Sequence, residues 1–143
     1  DSPSREIYQY NCDTSTGELT NPVLFAKTPK NVFPDGACVD KNGHLWSAQW
    51  GGNRVVQYST NGEIIQRIEL PASQVSCVTI GGINLDQLFV TSARDGLTQK
   101  ALEAEPLAGC LFIVNLAESI GLPEPIWSEK SPNRPQKSTL TSG

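Results

Sequence analysis

Several features that mark common classes of protein are missing from this chain. It has no CxxC pair, because its cysteines are widely spaced, so a structural zinc site is not expected. Acidic residues outnumber basic ones by 15 to 11 and no basic patch occurs, which argues against a nucleic-acid partner. No apolar run reaches the length of a membrane span, and residues 1–5 do not resemble a signal peptide. We therefore expect a cytoplasmic protein without a nucleic-acid or membrane partner.

Histidine is nearly absent, and the cysteines lie in apolar surroundings. The single histidine, His44, falls in a predicted turn, so no Ser-His or Cys-His pair is expected, and nucleophilic catalysis by Ser76 or Cys77 is not favoured. Cys38, Cys77 and Cys110 each lie within an apolar, strand-like run. This pattern predicts buried free thiols, with a disulfide between two of them as the open alternative.

What the sequence does contain is a repeat of short strands with alternating apolar residues. One unit has predicted strands at 37–41, 45–50, 54–59 and 64–70, joined in part by the hairpin turns Asn42-Gly43 and Asn61-Gly62. A second unit has predicted strands at 76–81, 87–93, 110–116 and 125–129, with a helical turn at 101–105. An incomplete first unit has only the last two strands, at 6–11 and 21–26. A four-stranded repeat of about 40 residues predicts the blades of a β-propeller.

The predicted fold is therefore all-β, with about two and a half four-stranded blades. Residues 1–130 are predicted to form the C-terminal part of a β-propeller, and the polar, proline-containing residues 131–143 a disordered tail. Because the first unit lacks two strands, we expect the rest of the propeller to come from a longer protein or from self-association.

Several motifs in this order and spacing resemble the SMP-30/gluconolactonase/regucalcin-like family. The resemblance covers residues 1–126, although the family more often has Gly where Cys110 stands. It implies a six-bladed propeller with a divalent metal ion in its central channel, and lactonases that act on sugar lactones. The motifs are Pro34-Asp35-Gly36, Gly43 to Ala48, Trp50-Gly51-Gly52, Arg54-Val55-Val56, Leu85 to Arg94 and Pro106 to Phe112.

Propeller topology predicts which residues meet at one end of the channel. The start of the first strand of a blade and the end of its second strand lie at the same face. A hard cation at such a mouth takes oxygen ligands, and lactone hydrolysis also needs a carboxylate that accepts a proton from water. The residues assigned to this mouth are Asp1, Asp35, Trp50, Ser76, Arg94 and Asp95.

Asp35 is the main candidate for both metal binding and catalysis. From the residues alone, Pro34-Asp35-Gly36 reads as a turn with Asp and Gly chosen for backbone reasons. The resemblance instead implies a metal-ligating aspartate that acts as general base. It also implies that the remaining ligands, a Glu and an Asn, match segments outside this chain. Calcium is the expected ion, with zinc, magnesium and manganese as alternatives.

The other candidate residues have a structural alternative. Trp50 is predicted to line the substrate site, or else to pack between blades. Arg94 is predicted to bind substrate, or else to pair with Asp95. Asp40 and Asp86 fall in or beside predicted surface turns and are interpreted as structural residues.

Two functions follow from this sequence. The first is metal-dependent hydrolysis of a sugar lactone when the N-terminal half is present, with the isolated chain inactive. The alternative is a non-catalytic propeller fragment that binds calcium or serves as a scaffold.

Overall fold

A computed structural model describes residues 1–125, which form three antiparallel sheets. The architecture confirms the all-β prediction, while the blade count stays a prediction. The predicted tail 131–143 and nearly all of the predicted strand 125–129 lie outside the described residues. The first sheet contains β1 (Glu6–Cys12) and β2 (Leu19–Lys27); the second contains β3 (Phe33–Val39), β4 (Leu45–Trp50), β5 (Arg54–Tyr58) and β6 (Ile64–Glu69); the third contains β7 (Val75–Gly81), β8 (Gln87–Ser92) and β9 (Leu111–Asn115).

A short helix, α1 (Gln99–Ala104), interrupts the third sheet between β8 and β9. It confirms the helical turn predicted for this insert, and it begins after Thr98, whose hydroxyl accepts a hydrogen bond from the backbone of Ala101 at 3.2 Å. Residues 1–125 contain no helix that is both long enough and apolar enough to cross a bilayer.

The predicted Asn-Gly turns form because both glycines adopt a left-handed backbone. Gly43 has φ +80° and Gly62 has φ +81°, which side chains with a Cβ rarely tolerate. A Cβ on Gly62 would also collide with the carbonyl oxygen of Phe25. This close approach brings the β5–β6 turn against β2, so it joins the first sheet to the second.

The core lies between the second and third sheets. Strands β3 and β4 pack against β7. Trp46, Val55, Val75, Leu88 and Val90 are all completely buried there. Trp46 therefore packs between the two sheets. Full burial of such side chains stabilises the fold by about 1.5–3 kcal/mol each.

The chain after β9 ties these two sheets together. The Leu116 amide donates to the carbonyl of Asp86 at 2.8 Å, and the Ile120 amide donates to the carbonyl of Leu85 at 3.0 Å. The carbonyl of Ile120 accepts the amide of Lys41 at 2.8 Å, in the β3–β4 turn. We call residues 116–121 the clamp segment, because it binds turns of both sheets.

Both ends of the stack expose apolar side chains. On the first sheet Val23 is 60% and Leu24 51% exposed, and on β9 Leu111 is 58% and Ile113 55% exposed. Within the described residues β9 is the edge strand of its sheet. The described part of the chain therefore does not cover its own terminal faces.

The prediction of buried thiols is wrong. All four cysteines are free, but Cys77 and Cys110 are exposed, and Cys38 is only half-buried where it packs against the core. Asp40 lies beside the β3–β4 turn and has a structural role, as predicted, but it is only 1% exposed, because Trp46 of β4 and Gln57 of β5 close over it.

Candidate functional site

Asp35 lies on a bulge near the start of β3. Pro34 pairs with Gln49 and Ala37 pairs with Ser47, so Asp35 and Gly36 together oppose the single residue between those partners. A bulge of this kind re-aims a side chain and bends its strand. The sequence reads as a turn at this point, but the structure keeps it within a strand, and β3 therefore starts at Phe33 rather than at the predicted residue 37.

The bulge borders a cavity of about 400 Å³. Asp35 is exposed at its wall, Asp1 lies on the same cavity, and the buried Ser47 contributes to the lining. Ser2 holds the neighbouring backbone, since its hydroxyl donates to the carbonyl of Pro34 at 2.7 Å. The structure thus brings together two of the predicted mouth residues, Asp1 and Asp35.

The donors around this cavity are oxygen atoms, which suit a hard divalent cation such as Ca²⁺. Asp35 and Asp1 offer carboxylates, and Ser47 offers a hydroxyl. In residues 1–125 no group of three or more His, Cys, Asp or Glu side chains is arranged to hold a metal ion. The chemistry of these donors therefore fits such an ion, but a full coordination shell of 6–8 oxygens needs further ligands.

The backbone behind Asp35 touches the next sheet. A Cβ built on Gly36 would lie 2.5 Å from the sulfur of Cys77 and 2.8 Å from its Cα, closer than real Cβ contacts occur. Two residues further along β3, burial raises the pKa of the Cys38 thiol to about 11, even though a hydrogen bond from the backbone of Ile80 opposes the shift. Strands β3 and β7 therefore run side by side from the Asp35 bulge onwards.

The remaining predicted mouth residues do not line this cavity. Trp50 is half-buried, pairs with Phe33 and bridges to Gln74, so it lies between the second and third sheets. Arg94 is exposed and packs the stem of its side chain against Gly109. The proposed substrate-binding roles of Trp50 and Arg94 stay predictions.

Two other residues from the sequence analysis have structural partners. The hydroxyl of Ser76 lies 2.9 Å from that of Thr91, and the carbonyl of Asp95 accepts the side-chain amide of Gln74 at 2.6 Å. Within the described residues no ion pair joins Arg94 to Asp95. His44 lies in the β3–β4 turn, at the far end of the hairpin from Asp35.

The sequence analysis missed a buried hydrogen-bond network around Asp40. One oxygen of its carboxylate accepts the backbone amides of Asn42 and His44, at 2.9 and 3.0 Å. The other accepts the Trp46 indole at 3.0 Å and the Gln57 amide at 3.2 Å. Burial alone would raise the pKa of Asp40, but these hydrogen bonds outweigh it and hold the pKa below its ordinary value of 3.8.

Taken together, the three stacked antiparallel sheets and the oxygen-lined cavity beside β3 define an all-β protein with an acidic candidate site. The chain belongs to the SMP-30/gluconolactonase/LRE-like family, whose model matches residues 1–94. This result confirms the family resemblance found in the sequence motifs.

The similar proteins include several named lactonases. The chain is 44% identical over 115 residues to an L-arabinolactonase of Azospirillum brasilense, and this match covers 79% of this chain and 37% of the relative. It is 36% identical over 129 residues to a pentonolactonase of Haloferax volcanii, and this match covers 87% of this chain and 44% of the relative.

The fold is also similar to solved structures. A crystal structure of regucalcin from Agrobacterium tumefaciens, described as a calcium-binding protein, superposes with a TM-score of 0.79 at 33% identity. The match covers 90% of this chain and 44% of that one. The chain therefore spans about two fifths of the length of these relatives.

Proposed function

We propose that this chain is part of a divalent-metal-dependent hydrolase of sugar lactones. In this proposal the whole protein is a six-bladed β-propeller, and the chain supplies about two and a half blades. The observation that carries the proposal is the Asp35 bulge on an oxygen-lined cavity, in a chain similar to enzymes named arabinolactonase and pentonolactonase.

Asp35 would act in two ways. Its carboxylate would bind the cation. Asp1 and Ser47 line the same cavity and would hold a bound water or a substrate hydroxyl. When bound, the cation would polarise the lactone carbonyl and acidify water. Asp35 would then accept the proton of the attacking water, which is the task of a general base.

Two residues would extend the site towards the substrate. Trp50 would offer an apolar wall to a sugar ring, and Arg94 would contact substrate oxygens once the rest of the propeller is in place. Both residues lie outside the cavity beside Asp35, so this role requires that the channel of the whole propeller extends to them.

A second candidate is a non-catalytic, calcium-binding propeller. The similarity to a regucalcin described as a calcium-binding protein favours it. In that case Asp35 would bind the cation, but no lactone would be hydrolysed.

The test is the substitution Asp35→Asn in the intact protein that carries this chain. The amide keeps the size of the side chain but loses its charge and its ability to accept a proton. Removing a general base lowers the rate by roughly 100- to 10,000-fold. Divalent-ion binding, measured by calorimetry, should weaken, and hydrolysis of pentonolactones and gluconolactone should fall by such a factor.

Asp86→Asn is the matched control, because Asp86 lies at the opposite end of its sheet, beside the β7–β8 turn. An equal loss in both variants would point to general destabilisation and contradict a site at Asp35. Metal binding without lactone hydrolysis in the unsubstituted protein would favour the second candidate.

A further inference from the structure

One contact next to the candidate site is unusually close. Cys77 lies against Gly36, the residue that follows Asp35, and leaves no space for a Cβ there. The obstructing atoms are the sulfur, the Cβ and the Cα of Cys77, so the Gly36 backbone packs against both the side chain and the backbone of Cys77. Gly36 is required here because the two strands approach more closely than any larger residue permits.

Both strands bulge where they meet. On β3 the extra residue falls at Asp35 and Gly36. On β7 it falls at Ser76, because Val75 pairs with Ser92 while Cys77 already pairs with Thr91. A bulge leaves part of its strand without ladder hydrogen bonds, so packing decides its position more than it does in a regular strand. Cys77 is the neighbour that packs against the Asp35 bulge.

We propose that Cys77 is a positioning residue, whose small side chain sets where Asp35 lies relative to the cavity. This inference rests on the proposed role of Asp35, because it concerns the geometry of that same site. The size of the side chain at position 77 carries the effect, and not the chemistry of its sulfur. A larger side chain would push Gly36 and Asp35 away from β7.

The consequence for catalysis follows from the sensitivity of reacting groups to their position. A displacement of about 1 Å costs on the order of 100-fold in rate. Cys77→Leu should therefore lower kcat by roughly 10- to 100-fold while KM changes little. Gly36→Ala places its new Cβ in the same contact from the other side and should have a similar effect.

Two matched variants distinguish a displacement of Asp35 from other effects of a substitution in β7. Cys77→Ser keeps the size of the side chain and should retain near-normal kcat. Thr79→Leu enlarges an exposed residue two positions further along β7, on the same side of the strand and away from the bulge. It should leave kcat unchanged.

A second measurement reads the position of Asp35 directly, without relying on activity. In the intact protein with ¹³C-labelled aspartate carboxyls, Cys77→Leu and Gly36→Ala should move the Asp35 signal, while Thr79→Leu should not. Asp35→Asn identifies the signal.

The outcomes are distinct. If the unsubstituted protein hydrolyses no lactone, the proposed function fails, and the Asp35 signal still decides the positioning role. An unchanged Asp35 signal in Cys77→Leu would overturn the inference. So would an equal kcat loss in Cys77→Ser, since that would make the sulfur itself necessary, or an equal effect of Thr79→Leu.

Discussion

At the scale of single residues, the two aspartates of β3 and its turn have opposite surroundings. Asp35 is exposed near the start of the strand, whereas Asp40 follows its end and is buried under Trp46 and Gln57. In sequence both resemble turn residues. The motif and the family resemblance were enough to single out Asp35, but the partners of Asp40 come from two other strands, so local patterning could not predict its burial.

The substitution Asp40→Asn should destabilise the protein. The amide nitrogen would face either the donors of Trp46 and Gln57 or the backbone amides of Asn42 and His44, so buried donors would lose their acceptor. Such a loss costs about 1–3 kcal/mol. Chemical denaturation should show a lower free energy of unfolding, whereas Asp86→Asn, at a half-buried residue beside the β7–β8 turn, should change it less.

The same carboxylate predicts a dependence on pH. Its pKa is lowered in the folded state, so its contribution to stability is present above the ordinary value of 3.8 and is lost as the pH falls through the folded value. Asp40→Asn should remove this part of the acid destabilisation. If unfolding of the variant shows an unchanged pH dependence below pH 4, the hydrogen-bonded carboxylate is not its source.

At the scale of elements, β4 is a strand through which the second sheet packs against the third. Its residues 46–49 are all buried; β3 and β5 pair along its two edges, and β7 packs against it. The strands and their order could be predicted, since alternation and the Asn-Gly turns are local properties. The bulge in β3 could not be predicted, because there the strand pairing continues past a motif that is typical of turns.

The two tryptophans of β4 should therefore respond differently to truncation. Trp46→Ala removes a fully buried ring together with its bond to Asp40 and should cost about 3–5 kcal/mol. Trp50→Ala removes a half-buried ring at the end of the strand and should cost less. Thermal denaturation of both variants compares them, and equal costs would contradict the difference in burial.

In the intact protein, Trp50→Ala also tests the proposed substrate role of Trp50. If that ring binds a sugar lactone, the substitution should raise KM while it lowers the free energy of unfolding only slightly. An unchanged KM would leave Trp50 with a packing role only.

At the scale of the whole molecule, the exposed apolar faces predict self-association of the 143-residue chain. Exposed apolar patches and unpaired strand edges favour contacts with other chains. Light scattering coupled to size exclusion should show dimers or larger species at micromolar concentration. A single monomeric species that unfolds cooperatively would contradict this prediction.

Charged substitutions identify the faces involved. Leu24→Lys and Ile113→Lys alter exposed residues on the first sheet and on β9, and each should shift the chain towards monomer. Ile83→Lys is the matched control, because Ile83 is fully exposed in the β7–β8 turn, away from both faces. Similar shifts in all three variants would indicate a general effect of charge.

The clamp segment has a consequence for the order in which the molecule opens. Its hydrogen bonds reach the β3–β4 turn and the β7–β8 turn, so the second and third sheets cannot separate while they hold. Amide hydrogens of Lys41, Leu116 and Ile120 should therefore exchange with deuterium at one common rate, as members of a single cooperative unit. The first sheet lies outside these bonds, and its amides are free to exchange earlier, in a separate opening of that end of the chain.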